Sequence, residues 1–331
     1  AAGAGSMPPC TRTNPMLRQI ATAPARRRLQ SKAKAAARLL DEESLRVLDV
    51  GAANGAPPRW RPYASLLEYV AVEPDSRSQE ALVHSHSEGF KSKQVITQAL
   101  WSKPQSLTLH LCRKPMASSV YLPNADFARL FPDAERFDVV GRTELTATTV
   151  DSVADLMGRA FDALKLDVQG AELEVLRGAT SSLRHALFVE AEVEFVPLYL
   201  DQPLFPEVSA ELASHGLHFN EFLSLYRWQP GQLDGTGQLV FADALYARAP
   251  EEVAAADVSV IRRYAALAVI YSRGDLLTRL AHQMSASPLA TNIREVADRV
   301  SATTSRQQRR LAAASRLLRL WDSSSHGHLL H

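Results

Sequence analysis

Two turns, each directly after an apolar strand, most constrain what this chain can fold into. The first follows residues 47–50 and is bordered by Gly51 and Gly55, and the second follows residues 164–166 and contains Asp167. In an open α/β sheet, ligands bind beyond the carboxyl ends of the strands, where the backbone can approach them closely. Two such turns from one sheet therefore predict a single cleft bordered by both.

Strand and helix patterns alternate along most of the chain. Strands are predicted over residues 46–50, 69–72, 94–99, 106–112, 163–167, 186–193, 218–226 and 237–248. Helices are predicted over residues 24–40, 149–158, 171–183 and 205–214, and the periodicity beyond residue 250 is helical only. Residues 113–142, rich in Pro, Ser, Asn and Asp, are predicted to form a long loop. This alternation predicts an α/β fold with a parallel, doubly wound sheet.

Charge divides the chain into an acidic body and two basic ends. Residues 1–40 carry a net charge of +8 and residues 301–331 carry +4, so a total of +1 leaves −11 for the residues between them. An acidic body argues against a nucleic-acid enzyme, whose cleft would be basic. The basic ends suggest peripheral contact with an anionic membrane, and the apolar helical tail suggests a homodimer.

The expected organisation is a basic N-terminal helical arm over residues 1–40, a catalytic domain over residues 41–250 and a helical C-terminal extension over residues 251–331. The first six residues resemble an expression-tag remnant before Met7. The chain has two cysteines, and its longest apolar run has eight residues where a bilayer span needs about 20. We therefore expect a protein of a reducing compartment, the cytoplasm.

The glycine turn predicts a small-molecule ligand. Glycine lets the backbone approach a ligand, and Glu73, 18 residues after Gly55, ends the next strand, where a carboxylate can accept hydrogen bonds from ribose hydroxyls. A NAD-binding turn would have a glycine in place of Ala53, which favours a ligand without a pyrophosphate. An ordinary strand-to-helix turn is the alternative.

Asp167 is predicted to open into the cleft, although aspartate at such a position also caps helices. Glu190, Glu192 and Glu194 alternate along the next strand and share one face. Three like charges there require that the face is solvated, that one carboxylate is paired or protonated, or that a cation is bound. Asp167 with Glu192 is therefore also a possible pair of oxygen ligands for a divalent metal.

Several motifs resemble the FkbM family of S-adenosylmethionine-dependent methyltransferases. They are residues 49–55 with Arg59 and Trp60, 72–75, 118–119, 165–179, 197–199, 202–205 and 243–246. The resemblance spans residues 45–248, and the segment around Asp167 is its most specific part. It implies the class I, Rossmann-like methyltransferase sheet, with seven strands and helices on both faces.

The resemblance also implies the site. The first turn would hold the methionine end of S-adenosylmethionine, Glu73 its ribose and residues 98–100 its adenine. The implied cofactor-binding residues are Asp49, Gly51, Ala52, Ala53, Gly55, Glu73, Pro74, Gln98, Ala99 and Leu100. Asp167, with Glu192, is expected to orient or deprotonate the acceptor hydroxyl. Ser118, Ser119 and Tyr199 are expected to line the acceptor pocket.

The expected function is O-methylation of a sugar, glycan or natural product, with a small-molecule or glycan acceptor and no nucleic acid. Residues 113–142 and the C-terminal helices are expected to shape the acceptor pocket. Two alternatives stay open from the sequence. One is a NAD-dependent oxidoreductase or nucleotide-sugar enzyme of similar architecture, and the other is a non-catalytic methyltransferase-like subunit.

Overall fold

The computed structural model of the protein describes residues 15–84, 89–229 and 237–302. The strands are β1 Leu45–Val50, β2 Leu67–Val72, β3 Ser92–Ile96, β4 Ala99–Leu100, β5 Gln105–Cys112, β6 Val139–Thr148, β7 Ala163–Leu166, β8 Phe188–Glu194, β9 Leu217–Trp228 and β10 Gln238–Arg248. The helices are α1 Pro15–Leu40, α2 Ser76–His84, α3 Ala125–Ala128, α4 Val150–Leu156, α5 Glu172–Arg177, α6 Thr180–His185, α7 Phe205–Ser214, α8 Pro250–Val253, α9 Val258–Ile270, α10 Gly274–Gln283 and α11, described over residues 288–302.

Seven strands form the main sheet, in the order β3-β2-β1-β7-β8-β10-β9. The first five run parallel, whereas β10 is antiparallel to both β8 and β9. The chain moves outward from β1 to β3 and later returns to β7 on the other side of β1, which makes the boundary between β1 and β7 the switch point. The predicted α/β class, with a doubly wound sheet of seven strands, is confirmed.

Helices cover both faces of the sheet. One face packs against α1, α9, α10 and α11, and the other against α4, α5, α6 and α7. Because apolar side chains cover both faces, the central strands are buried almost throughout. In the described ranges, no helix is both long and apolar enough to cross a membrane.

The two terminal extensions pack against each other. Helix α1 lies on α9, where Arg262 donates a hydrogen bond to the carbonyl of Leu39 at 3.0 Å, and Lys32 donates to the Ser272 hydroxyl at 2.8 Å. Helix α1 begins at Pro15, earlier than the predicted residue 24. The remaining predictions for residues 1–14 and 303–331 lie outside the described residues.

A second sheet, in the order β4-β6-β5, stands beside the main one. The strand predicted over residues 94–99 is two strands, because β3 ends at Ile96 in the main sheet and β4 begins at Ala99 in the small one. The predicted loop over residues 113–142 was also wrong at its end. Strand β6 starts at Val139, and most of its side chains are exposed, so it lacks an apolar pattern.

The helix predicted over residues 171–183 is divided into α5 and α6 at Gly178. A Cβ atom at this glycine would lie 2.0 Å from the carbonyl oxygen of Trp101. The backbone can therefore approach the end of β4 only without a side chain here, and this contact joins the small sheet to the helical layer.

Candidate active site

A cavity of about 840 Å³ opens at the switch point between β1 and β7. The turns after β1, β2 and β7 form its floor, and the small sheet contributes the apolar side chains of Leu107, Leu109 and Leu145. The segment from Lys114 to Val120 and the β9–β10 hairpin form the remaining walls. This volume falls within the range of about 300–1,000 Å³ that is typical of small-molecule sites.

The two predicted turns meet directly in the floor of this cavity. Gly51 has a φ of +83°, and a Cβ atom at this position would lie 1.9 Å from the carbonyl oxygen of Asp167. The amide of Asp167 donates to the carbonyl of Val50 at 3.0 Å. Because neither backbone could approach the other past a side chain, glycine is required at residue 51.

The rest of the glycine turn is fixed by backbone hydrogen bonds. The amides of Gly51 and Ala52 both donate to the carbonyl of Val72, at 3.0 and 3.1 Å. The amide of Gly55 donates to the carbonyl of Ala52 at 2.8 Å, and Gly55 has a φ of +68°. Gly51, Ala53 and Gly55 line the cavity, whereas Ala52 is buried behind them.

Asp167 lines the cavity and is held by three polar neighbours. Lys165 donates to its Oδ2 at 3.2 Å, and Gln169 donates to its Oδ1 at 3.0 Å. Burial alone would raise the pKa of Asp167, but the charge of Lys165, together with hydrogen bonds from Glu192, Gln169 and Lys165, holds it below its usual value. Asp167 is therefore ionised at neutral pH.

Glu192 shares a hydrogen bond with Asp167 but is neutral where Asp167 is ionised. Burial, followed by the negative charges of Asp167 and Glu194, raises the pKa of Glu192 well above its usual value. Glu192 therefore keeps its proton at neutral pH and donates it toward the Asp167 carboxylate. Two adjacent carboxyl groups sharing one proton avoid the repulsion between two like charges.

The other two glutamates of β8 have different environments. Glu190 forms an ion pair with Arg59 at 2.5 Å, and both line the cavity. Glu194 is buried away from the cavity lining, and burial followed by the charges of Glu172 and Asp167 raises its pKa well above the usual value. Of the three carboxyl groups on this face, that of Glu190 is therefore paired with a cation, and those of Glu192 and Glu194 are protonated.

Gln169 connects the acidic pair to the neighbouring loop. Its Nε2 also donates to Glu192 at 2.7 Å, and its Oε1 accepts from the Tyr199 hydroxyl at 2.9 Å. The Ser119 hydroxyl donates to its backbone carbonyl at 2.7 Å. Gln169 has a φ of +58°, a left-handed conformation that is unfavourable for a residue other than glycine, and these contacts maintain it.

Glu73 lies at the end of β2 and lines the cavity together with Pro74. Its Oε1 accepts from the backbone amide of Asp75 at 2.8 Å. Burial raises the pKa of Glu73 to about 7, against the smaller opposing effect of the Asp75 hydrogen bond. This carboxyl group therefore changes charge near neutral pH.

The remaining predicted cofactor-binding residues divide between the cavity and its surroundings. Ala99 and Leu100 line the cavity, whereas Gln98 is exposed and does not. Asp49 is fully buried behind the turn, where it accepts from the Tyr69 hydroxyl at 2.8 Å and lies 3.5 Å from Lys165. Asp49 therefore supports the floor through Lys165 instead of lining the cavity.

Two of the three predicted acceptor-lining residues face the cavity. Ser118 and Ser119 line it, and Ser118 accepts from Arg77 at 2.7 Å. Tyr199 is fully buried, and its hydroxyl lies within hydrogen-bonding distance of the Ala117 carbonyl and of Gln169. Its role is therefore to orient Gln169.

Several cavity residues were not predicted from the sequence. Lys165, Gln169 and Arg59 lie inside recognised motifs, which was the available signal. Ser224, Tyr226 and Asp243 reach the cavity from the β9–β10 hairpin, and only the last belongs to a recognised motif. Within the described ranges no lining residue follows Asp243, so the expectation that the C-terminal helices shape this pocket was wrong for residues 251–302, and its remainder lies outside the described residues.

In the part of the chain that the structure describes, no group of three or more His, Cys, Asp or Glu side chains is arranged to hold a metal ion. The pair of Asp167 and Glu192 has nitrogen donors, Lys165 and Gln169, as its nearest described polar neighbours. Its carboxyl oxygens are thus engaged in hydrogen bonds.

Comparison with solved structures finds methyltransferases of low sequence identity. A precorrin-6y C5,15-methyltransferase from Geobacter metallireducens is 9% identical with a TM-score of 0.31, and the match covers 66% of this chain and 88% of that one. The magnesium protoporphyrin IX methyltransferase from Synechocystis, solved with S-adenosylhomocysteine, is 11% identical with a TM-score of 0.29, covering 72% and 90%. A search of curated proteins found no match.

Comparison with family models identifies the family. The model of the methyltransferase FkbM domain matches residues 49–219, more than half of the chain, and this stretch contains both turns and the Asp167–Glu192 pair. The match confirms the enzyme class predicted from the sequence, an S-adenosylmethionine-dependent methyltransferase, over a NAD-dependent oxidoreductase. The chain belongs to the FkbM family of methyltransferases.

Proposed function

We propose that this enzyme transfers the methyl group of S-adenosylmethionine to a hydroxyl group of a sugar, a glycan or a natural product. One observation carries the proposal: an ionised carboxylate, Asp167, lines the cavity directly against the glycine turn at residue 51. A hydroxyl nucleophile must lose a proton during methylation, and a carboxylate at this position can accept it.

The residues around the cavity floor fit the cofactor. The absence of a side chain at Gly51 leaves the backbone open to the methionine end of the molecule. Glu73 offers a carboxyl group to the ribose hydroxyls, and Ala99 and Leu100 offer an apolar surface to the adenine. The cavity thus offers a hydrogen-bond acceptor to the ribose and an apolar surface to the adenine.

The negative charge of the cavity floor also suits the positive charge of S-adenosylmethionine. S-adenosylmethionine, when bound, supplies a methyl group on a cationic sulfur that can leave as a neutral thioether. Asp167, Glu73 and Asp75 line the cavity, and a carboxylate-rich floor attracts a cation by Coulomb interaction. The same floor lacks the run of amides with three glycines that binds a pyrophosphate.

The protein's role in the reaction is to orient the hydroxyl and to take up its proton. Asp167 accepts the hydroxyl proton as the oxygen–methyl bond forms and the sulfur–methyl bond breaks, and the electron pair of the broken bond stays on sulfur. Lys165, Gln169 and Glu192 hold the carboxylate in place and stabilise its charge. Positioning of this kind supplies much of the rate of a displacement reaction.

The test is Asp167→Asn. We expect methyl transfer from labelled S-adenosylmethionine to a hydroxyl acceptor to fall by about 100-fold or more, because removal of a general base typically costs about 10²–10⁴-fold. Isothermal titration calorimetry should show S-adenosylhomocysteine affinity within about threefold of the original, since asparagine keeps the backbone contact of residue 167 with Gly51 and leaves Glu73 unchanged.

Asp155→Asn is the matched control, because Asp155 is an exposed aspartate in α4 and removes the same charge away from the cavity. It should leave both measurements unchanged. Near-normal turnover of Asp167→Asn with retained cofactor binding would remove Asp167 from the chemistry. Binding of NAD in place of S-adenosylhomocysteine would contradict the proposed cofactor.

A further inference from the structure

The wall of the cavity formed by the β9–β10 hairpin differs from its floor. Two cations, Lys114 and Arg136, line it together with the rings of Tyr226, Trp228 and Phe241. The backbone amide of Lys114 donates to the carbonyl of Arg136 at 3.2 Å, so the two basic residues are held side by side. Neither residue has a role in the proposed transfer of the methyl group.

The Arg136 guanidinium is stacked on aromatic rings. Its Cζ atom lies 4.2 Å from the ring centroid of Trp228 and 5.1 Å from that of Phe137. Stacking occupies the face of a guanidinium and leaves its N–H groups in the plane, where they need an acceptor. The buried Nε atom of Arg136 has no hydrogen-bond partner among the described residues.

Two other cations of this cavity, Arg59 and Lys165, are paired with carboxylates. Arg59 pairs with Glu190 at 2.5 Å, and Lys165 lies 3.2 Å from Asp167. In residues 15–84, 89–229 and 237–302, no ion pair is recorded for Lys114 or Arg136. An orphaned N–H group on a preoriented guanidinium is a ready site for an oxyanion.

We propose that Arg136 and Lys114 form a subsite that binds an oxyanion, a phosphoryl or carboxyl group, on the methyl acceptor. The inference rests on the proposed O-methylation and narrows its substrate class to anionic acceptors. A guanidinium binds both kinds of oxyanion through paired N–H donors, and the neighbouring ammonium adds a second charge.

The aromatic wall extends this subsite within the cavity that Asp167 also lines. Tyr226 and Phe241 are stacked at a centroid distance of 4.3 Å, and Trp228 lies 6.1 Å from Phe241. Flat apolar rings of this kind pack against the C–H face of a ring-shaped ligand. An acceptor lying along this wall would present its anionic group to Arg136 and a hydroxyl to the cavity floor.

The experiment is isothermal titration calorimetry with three matched probes: methyl glucoside, glucuronate and glucose 1-phosphate. Each is titrated into the full chain, with and without saturating S-adenosylhomocysteine. We expect at least one anionic probe to bind about tenfold or more tightly than methyl glucoside, since a charge-assisted hydrogen bond contributes more than a neutral one. The two anionic probes distinguish a carboxyl from a phosphoryl group.

Arg136→Gln should abolish this preference for the anionic probe and leave S-adenosylhomocysteine affinity unchanged. Arg129→Gln is the matched control, because Arg129 is an exposed arginine next to α3 whose loss removes the same charge outside the cavity. It should keep the preference. A preference that survives in Arg136→Gln, equal binding of all three probes, or no binding of either anionic probe at 10 mM (about the weak limit of specific recognition) would overturn the subsite.

The proposed function and the subsite fail in different ways. Methylation of neutral hydroxyl acceptors by both the original enzyme and Arg136→Gln would preserve the function and overturn the subsite. Arg136-dependent binding of an anionic probe, without S-adenosylhomocysteine binding or methyl transfer, would preserve the subsite and contradict the function.

Discussion

The floor of the cavity and its hairpin wall carry opposite charge. The floor is acidic, with Glu73 and Asp75 after β2 and Asp167 after β7. The hairpin wall is aromatic and basic, with Arg136 and Lys114 beside three rings. An acidic surface attracts a cationic sulfonium, and a basic surface attracts an anionic acceptor. The floor would therefore hold the methyl donor and the hairpin wall the anionic group of the acceptor.

The two regions also differ in how they are built. In the floor, backbone geometry dominates, since two turns touch at Gly51 with no room for a side chain. In the wall, side-chain contacts dominate, and Arg136 is oriented by the ring of its neighbour Phe137 and by that of Trp228, which is distant in the sequence. A change in the backbone geometry of the floor at Gly51 should therefore disrupt both binding and fold, whereas a change of side chain in the wall should alter selectivity alone.

Gly51→Ala should produce the largest effect and break the floor. The new Cβ atom would lie 1.9 Å from the Asp167 carbonyl, and alanine at a φ of +83° is itself strained by about 1–2 kcal/mol. One of the two backbones must move, which opens the turn that faces the methionine end of the cofactor. We expect S-adenosylhomocysteine affinity to fall by about 100-fold or more in calorimetry.

Gly158→Ala separates the clash from the strain. Gly158 has a φ of +64°, and nothing lies within 4 Å of the Cβ position. This variant should lower thermal stability slightly, by about 1 kcal/mol, and keep full cofactor affinity. Equal binding of S-adenosylhomocysteine by Gly51→Ala and the original enzyme would show that the floor does not hold the cofactor.

The floor was largely predictable from the sequence because its parts are contiguous. The apolar strands before Gly51 and before Asp167 can each be recognised from a few consecutive residues. Parallel strands then bring their carboxyl ends to one edge of the sheet. The division of charge within the acidic pair was not predictable. It depends on burial and on Lys165 and Gln169, whose orientation is fixed only in the folded protein.

The wall was not predictable, because no local pattern relates its parts. Arg136 and Trp228 meet across 92 residues of sequence, and the loop that carries Arg136 was recognised only as a loop. Strand β6 was missed for a related reason. Its side chains are mostly exposed, so the sheet is held by backbone pairing with β5, which leaves little apolar signal.

Glu73→Gln should produce an intermediate effect and test the charge of the floor. The pKa of Glu73 is raised to about 7, so the free carboxyl group is protonated below that pH and ionised above it. Ribose hydroxyls donate to the ionised form, so binding lowers this pKa and releases a proton. Affinity for S-adenosylhomocysteine should therefore rise by up to about tenfold between pH 6 and pH 8.

In Glu73→Gln this rise should disappear, and affinity at pH 8 should fall by about tenfold, since a hydrogen bond to a charged group becomes one to a neutral amide. Glu295→Gln, which changes an exposed glutamate of α11, is the control and should keep the pH dependence. The same pH dependence in Glu73→Gln would assign the titration to another group and remove Glu73 from the cofactor site.

Glu192→Gln should produce the smallest effect, although Glu192 touches the proposed base. Burial and the charge of Asp167 keep Glu192 protonated at neutral pH, so it acts as a neutral donor. A glutamine amide is also a neutral donor and can still accept from Gln169, so turnover should stay within about threefold. Glu192→Ala removes the donor, which raises the pKa of Asp167 and should move the acidic limb of the pH–rate profile to higher pH. Loss of turnover in Glu192→Gln as severe as in Asp167→Asn would mean that Glu192 works as a carboxylate, and the acidic pair would then hold two charges instead of one.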